Sequence, residues 1–321
     1  MPLPRVIATR KLPAPVEERL RANFTVALNE DDTPFTPGRL AEALRQADGV
    51  LCAVTDRMSA DLLGTEGLQT RVLANFGVGV NNIDLAAAEK AGIAVGNTPD
   101  VLTDATADLA IALMLAATRR MYETEKMLRE GRWQGFSLTA QLGMGLSGKK
   151  IGIVGMGRIG QATARRAALG FGMKVIYYNR SPLRVTLDFP AERRETIEEV
   201  MAEADVVSLH IPGGGENRGR ISAAMIAAMK PTAYLVNTAR GDVVEEPALI
   251  AALAEGRIAG AGLDVFAEEP KVPAELIALD NVTLLPHIGS ATLETRTAMG
   301  MLAVDNLETF FAGKPMPARV V

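Results

Sequence analysis

The segment from residue 150 to residue 178 constrains this chain more than any other. Lys150-Ile151-Gly152-Ile153-Val154 is a short apolar run of the kind a strand buried on both faces requires. It leads directly into Gly155-Met156-Gly157-Arg158-Ile159-Gly160, then an alanine-rich helical pattern, then a second apolar run at 174–178. A lone G-x-G-x-x-G is weak, because glycines also punctuate ordinary turns. Here strand, motif, helix and second strand fall within one βαβ unit of about 30 residues, the context that gives the motif meaning. The glycines permit a tight turn and let backbone N–H groups approach a pyrophosphate, and the helix N-terminus adds partial positive charge. The pattern predicts a dinucleotide site on a twisted parallel sheet with helices on both faces.

The same alternation runs along most of the chain. Strands are expected at 6–9, 24–28, 50–54 and 72–76, with helices near 16–22 and 39–47. A second series is expected at 150–154, 174–178, 205–210, 233–237, 258–265 and 282–285. Its helices carry start signals: Thr196 with Glu199 forms a capping box, and Ser222 can cap 223–229. One long helical segment, 104–131, is expected to join the two series. The last helix, 293–311, follows the final strand and is expected to cross back to the first domain. At 321 residues, and about 150 residues per domain, two domains are predicted. The fold class is therefore α/β, with two doubly wound parallel-sheet domains.

Composition narrows the chemistry. Hydrophobic residues are 48% and charged residues 22%, the balance of a globular protein. A net charge of −4 and 4% aromatic residues argue against nucleic acid as a partner. The single cysteine, Cys52, cannot form an internal disulfide, and two histidines, His210 and His287, cannot build a usual structural zinc site, so no metal is expected. The N-terminus lacks a signal-like apolar core, and the longest apolar run, 109–117, is far short of the roughly 20 residues that cross a bilayer. The expectation is a cytoplasmic enzyme without membrane contact, working through carboxylates, arginines, a histidine or an organic cofactor.

The strand after the glycine motif ends in Asn179-Arg180-Ser181, with Arg184 close behind. An NAD site places an acid here for the ribose 2′-OH. A missing acid and an arriving base predict NADP instead, its 2′-phosphate held by guanidinium and hydroxyl groups. Three further residues follow successive strands of the second series: Arg240, Glu269 and His287. Ligands of doubly wound sheets bind beyond the carboxyl ends of strands, so the three are expected to converge. A histidine can give a proton to an oxygen receiving hydride, a carboxylate can hold it charged, and an arginine can grip a substrate carboxylate. Singly, each has an ordinary structural reading: a helix cap, an exposed loop acid, a satisfied histidine. Their joint placement favours the functional one. His210, also at a strand end, is read as a cofactor-side or structural residue.

Together these residues resemble the D-isomer-specific 2-hydroxyacid dehydrogenase family. The similarity runs end to end and includes Gly77-Val78-Gly79-Val80-Asn81-Asn82-Ile83-Asp84 and Thr106-Ala107-Asp108-Leu109-Ala110. It implies a Rossmann cofactor domain, 100–289, inserted in a flavodoxin-like substrate domain, 1–99 plus 290–321, closing about hinges near Pro99 and Gly289. It implies that Arg240 anchors the substrate, that Glu269 pairs with His287, and that His287 is the acid/base. It places the Val78 and Gly79 amides and Ser290 at the substrate. The cofactor is assigned Gly155, Gly157, Arg158, Ile159 and Gly160, the Asn179–Ser181 tip with Arg184, and His210, Pro212, Thr106, Thr238, Asp264 and Gly289. It implies a homodimer through the cofactor domain, with 119–147 in the contact and Trp133 as a packing anchor.

Within the family the chain looks most like the NADPH-dependent glyoxylate/hydroxypyruvate reductases. Glu269 separates it from formate dehydrogenases, which carry a glutamine beside the histidine. Its end at Val321 implies no added regulatory domain of the kind common in phosphoglycerate dehydrogenases. A broader 2-ketoacid reductase, with the side-chain wall near 51–56, and a dinucleotide-sensing binding protein are the alternative readings. One departure from the family pattern stands out: Pro212-Gly213-Gly214-Gly215-Glu216-Asn217 replaces a leucine-threonine-proline type of loop.

Overall fold

Each series of apolar runs builds one parallel sheet. In the computed structural model, which describes residues 2–321, the chain forms two units: the residues up to Leu102 together with Ser290–Val321, and Thr103–Gly289. The first passage between units falls at 102/103, not after residue 99.

The first unit holds β1 (Arg5–Ala8), β2 (Thr25–Ala27), β3 (Gly49–Ala53), β4 (Val72–Phe76) and β5 (Ala94–Gly96), in the order β2-β1-β3-β4-β5. That is the flavodoxin-like order of a doubly wound sheet. β5 is not among the expected strands, because its apolar run is cut off between Gly92 and Gly96. Long-range bonds mark it: Val95 N–H donates to Val321 O at 3.1 Å, and Val320 N–H donates to Val95 O at 2.7 Å. The final helix, Leu293–Phe311, belongs to this unit. Thr292 caps it by accepting from Thr295 N at 3.1 Å. Gly300 lets it close on the helix Ala14–Asn23, where an added Cβ would lie 2.5 Å from Val16 Cγ2. Arg19 bonds Asp305 and Glu308 at 2.6 Å each. Both ends of the chain thus build one unit.

The second unit holds β6 (Lys150–Val154), β7 (Lys174–Tyr178), β8 (Ala191–Arg193), β9 (Val206–Leu209), β10 (Tyr234–Asn237), β11 (Gly260–Leu263) and β12 (Val282–Leu284). The order β12-β11-β10-β9-β6-β7-β8 is entirely parallel. Alternate residues enter opposite cores: Ile151, Ile153, Val206 and Val236 pack on one face, and Val154, Val207, Leu209 and Leu235 on the other. Burial on both faces is why these strands read as continuous apolar runs. The edge strand β8, Ala191-Glu192-Arg193, carries no such run and is not among the expected strands either. The chain lays β7 and β8 on one side of β6, then returns to lay β9 to β12 on the other. The reversal puts the switch point between β6 and β9, where doubly wound sheets bind ligands.

The single helix expected over 104–131 is two, Thr103–Thr118 and Met121–Arg129. Arg120 lies between them in the left-handed region, with φ +51°. The Thr118 carbonyl, released at the first helix's end, accepts from Met144 N at 2.8 Å, and Arg120 turns to pair with Glu123 at 2.7 Å. Apolar periodicity continues across this break, so the sequence pattern alone does not reveal it. Among the described residues, no helix is long and apolar enough to cross a membrane.

Candidate active site

The glycine motif forms a cradle at the end of β6. Gly155 has φ +96°, and a Cβ there would lie 2.7 Å from the His210 carbonyl oxygen. At Gly160 a Cβ would lie 2.1 Å from the Gly155 oxygen, so only glycine lets the helix Arg158–Phe171 approach its strand. Gly157 caps that helix without a side-chain hydrogen bond, and the space where its Cβ would stand is open. A helix N-terminus capped by a glycine, beside room for backbone approach, fits a pyrophosphate. Arg158 and Ile159 open the helix.

At the tip of β7, Asn179 turns inward. Its Oδ1 accepts from Met156 N at 3.0 Å, and its Nδ2 donates to Ser181 O at 2.7 Å. Asn179 therefore ties the tip to the cradle. Arg180, Ser181 and Arg184 are exposed around it, and Arg180 pairs with Glu216 of the loop after β9. At the end of β9, His210 Nε2 lies 2.9 Å from Ser208 Oγ, and burial lowers its pKa to about 4, leaving it neutral near pH 7. Pro212 begins the following loop, its carbonyl accepting from Asn217 Nδ2 at 3.0 Å.

The ends of β10, β11 and β12 carry the ionisable groups. After β10, Asn237 shapes the turn: Nδ2 donates to Arg240 O at 2.9 Å, and Oδ1 accepts from Ala239 N at 3.0 Å. Thr238 is buried, and its Oγ1 has no hydrogen-bond partner within the protein. Arg240 donates from Nη1 to Ala239 O at 2.7 Å. Burial pushes its pKa down, opposed by the charges of Glu269 and Asp242. Gly241 explains how this loop meets the next: a Cβ there would lie 1.9 Å from the Phe266 carbonyl carbon.

Glu269 accepts from Phe266 N on Oε1 at 3.1 Å and lies 2.6 Å from His287 Nδ1 on Oε2. Burial alone would raise its pKa, but the hydrogen bond and charge of His287 hold it below the ordinary carboxylate value. An ionised Glu269 keeps a proton on Nδ1 and fixes the orientation of the ring.

His287 itself has φ +54°, a backbone region that non-glycine residues adopt sparingly. Asp264 secures it. The Asp264 carbonyl accepts from His287 N at 2.9 Å, Oδ1 from Ile288 N at 2.8 Å, and Oδ2 from Gly289 N at 2.8 Å. Asp264 is 1% exposed, and its burial raises its pKa against the pull of those amides. Thr106 completes the clamp, donating from Oγ1 to Gly289 O at 3.2 Å. Thr106 and Asp264, expected beside the nicotinamide, thus bond to the turn that carries His287. Asn237 and Asp242, which shape the loops here, are not among the residues expected from the sequence. Asn237 ends β10 and Asp242 lies five residues further on; a short polar side chain able to bond nearby backbone is the signal that could have found them.

In the first unit, the Val78 and Gly79 loop follows β4. Asn97 Nδ2 donates to Val78 O at 2.8 Å, and Asn75 Nδ2 to Gly79 O at 2.9 Å, fixing both peptide units from their carbonyl side. Ser290 opens the returning segment of that unit, its carbonyl accepting from Thr292 N at 2.8 Å.

Residues 111–289, over half of the chain, match the model of the D-isomer specific 2-hydroxyacid dehydrogenase NAD binding domain. The chain belongs to this family. As a 2-hydroxyacid dehydrogenase it is 44% identical over 318 residues to a glyoxylate reductase of Thermococcus litoralis, covering 98% of this chain and 96% of that one. Among solved structures, the TT0316 protein of Thermus thermophilus is 42% identical, with a TM-score of 0.89 over 99% of this chain and 100% of that chain. An NADPH-dependent glyoxylate/hydroxypyruvate reductase of Sinorhizobium meliloti, solved with NADP and malonate, is 35% identical, with a TM-score of 0.87 over 99% and 97%. The dehydrogenase fold and the nicotinamide dinucleotide site follow from the family. The cradle lies beside the β6/β9 switch point, the place where doubly wound sheets bind ligands.

Proposed function

We propose that this dehydrogenase reduces a small 2-oxo acid, glyoxylate or hydroxypyruvate, to the 2-hydroxy acid, with NADPH as its cofactor. The observation that carries the reading is the 2.6 Å bond between His287 and Glu269, on loops neighbouring that of Arg240. Bound at the cradle, the reduced cofactor supplies a hydride. Arg240 grips the substrate carboxylate through its guanidinium fork and draws electron density from the neighbouring carbonyl. His287, protonated, gives a proton from Nε2 to the oxygen as it gains charge, and Glu269 stabilises the imidazolium and holds the ring. Arg180 and Ser181, with Arg184 nearby, hold the ribose 2′-phosphate. The names of the Thermococcus and Sinorhizobium relatives support both substrate and cofactor.

Turnover of glyoxylate, hydroxypyruvate, pyruvate and phenylpyruvate, each with NADPH and NADH, tests this. Preference for the two small acids with NADPH is expected, whereas preference for phenylpyruvate overturns the substrate assignment. Arg180→Asp should swing preference toward NADH; an unchanged NADPH/NADH ratio of kcat/KM refutes the phosphate assignment.

The proposal includes a homodimer through the cofactor domain. Trp133, Phe136, Leu138 and Leu142 are 58%, 88%, 82% and 65% exposed, a run of apolar surface that a partner would cover. Sedimentation should give twice the protomer mass, and Phe136→Asp should reduce it.

A further inference from the structure

The loop after β9 is fastened at its root, and its tip meets the end of β7 through an exposed ion pair. At the root, Gly214 N–H donates to Asp242 Oδ2 at 2.9 Å, and Gly219 N–H donates to the Asp242 carbonyl at 2.8 Å. A Cβ at Gly213 would lie 2.4 Å from Asp242 Oδ1, so the root is packed closely as well. At the tip, Glu216 pairs with Arg180 across solvent, their side chains 71% and 80% exposed. Between root and tip, Gly214 and Gly215 have φ +71° and +49°, and a Cβ at Gly215 would meet nothing within 4 Å. Asn217 holds this turn, its N–H donating to Gly214 O and its Nδ2 to Pro212 O at 3.0 Å each, so the exposed Glu216 side chain, and not the backbone, is what can move away from Arg180.

Arg180 is the guanidinium proposed to hold the 2′-phosphate, and the role of its partner Glu216 rests on that reading. A carboxylate already paired with this guanidinium reduces the positive charge offered to a phosphate, and repels the phosphate directly. A nucleotide with a free 2′-OH meets neither penalty and can leave the pair intact.

We infer that Glu216 is a specificity-determining residue: its ion pair with Arg180 competes with the 2′-phosphate and lowers the preference for NADPH over NADH, while its exposed side chain can rotate clear. An exposed pair is weak and screened by salt, so the effect is a modest adjustment.

The test is calorimetric titration of the full-length protein with adenosine 2′,5′-bisphosphate and with 5′-AMP at low ionic strength. Glu216→Gln should tighten the bisphosphate about two- to fivefold and leave 5′-AMP unchanged. The NADPH/NADH ratio of kcat/KM should rise by a similar factor, and the gain should shrink as salt is added. In an Arg180→Gln background the same change should have no effect, since the competition needs the guanidinium. If Arg180→Gln weakens the bisphosphate but Glu216→Gln does not tighten it, the inference fails and the cofactor reading stands. An equal gain for 5′-AMP also overturns it, because Glu216 would then act on the loop and not on the phosphate. If Arg180→Gln leaves bisphosphate affinity unchanged, both the inference and the reading it rests on are lost.

Discussion

The loops at one edge of the seven-stranded sheet and those around its switch point hold their charged groups by opposite means. Beyond β11 and β12, Asp264 is 1% exposed and spends both carboxylate oxygens on backbone amides that fix the His287 turn. Beyond β7 and β9, Arg180 and Glu216 meet in solvent, on a tip and a glycine-rich loop. Buried amide bonds act in low dielectric and hold one geometry, as proton transfer demands. Exposed ion pairs are weak and exchange partners readily, which suits the proposed choice between two nucleotides that differ by one phosphate. The same sheet can thus place rigid chemistry at one edge and adjustable recognition around its switch point.

The comparison is broken most directly at its rigid end. His287→Ala should lower kcat by about 10²- to 10⁴-fold, with NADPH affinity, followed by fluorescence, nearly unchanged. Turnover near that of the unaltered protein would remove His287 as the proton donor. Arg240→Ala should lower kcat/KM by about 10²-fold, mostly through KM, because the carboxylate grip is lost. Steady-state kinetics on glyoxylate would show it. Asp264→Ala touches no reacting atom in this scheme, yet should lower kcat about tenfold and reduce stability by about 1–3 kcal/mol, as buried amides lose their acceptor. Full activity in that variant would mean that the His287 turn holds its shape unaided.

A smaller effect comes from His210, a buried group at the nucleotide end. Its folded-state pKa of about 4 lies below the ordinary value of 6.5, so on acidification the unfolded chain takes up the proton first. Stability should be full above about pH 6.5 and decline between there and pH 4, by about 2 kcal/mol at pH 5. Urea unfolding midpoints at pH 7 and pH 5 measure this, and His210→Gln should flatten the difference. A decline of the same size in that variant would assign the acid sensitivity to other groups.

Much of the fold is legible because its signals are local. β4, β6 and β7 have the expected boundaries, and the final helix spans 293–311 as expected. The strands β5 and β8 are not legible, since the apolar run of β5 is cut off between Gly92 and Gly96, and Glu192 and Arg193 carry an edge strand's polarity; the equally short β2 and β12 lie within longer expected runs. The break at Arg120 is hidden because no glycine or proline marks it locally, and the segment that bonds the freed Thr118 carbonyl, at Met144, is distant in the chain. At the site, Arg240, Glu269 and His287 stand out as polar residues just past buried strands. The bonds that set their posture do not, because Asn237, Asp264 and Thr106 resemble ordinary loop, strand-end and helix residues.

From its residues alone, the chain specified two doubly wound sheets, a glycine cradle and the succession of charged loops, since each is written in neighbouring positions with a short period. Tertiary structure decided which distant groups would meet: Asp264 with the amides of 288 and 289, Gly241 with Phe266, and Glu216 with Arg180. Those meetings depend on how loops from separate strands pack at the sheet's carboxyl edge, and no local pattern encodes that packing.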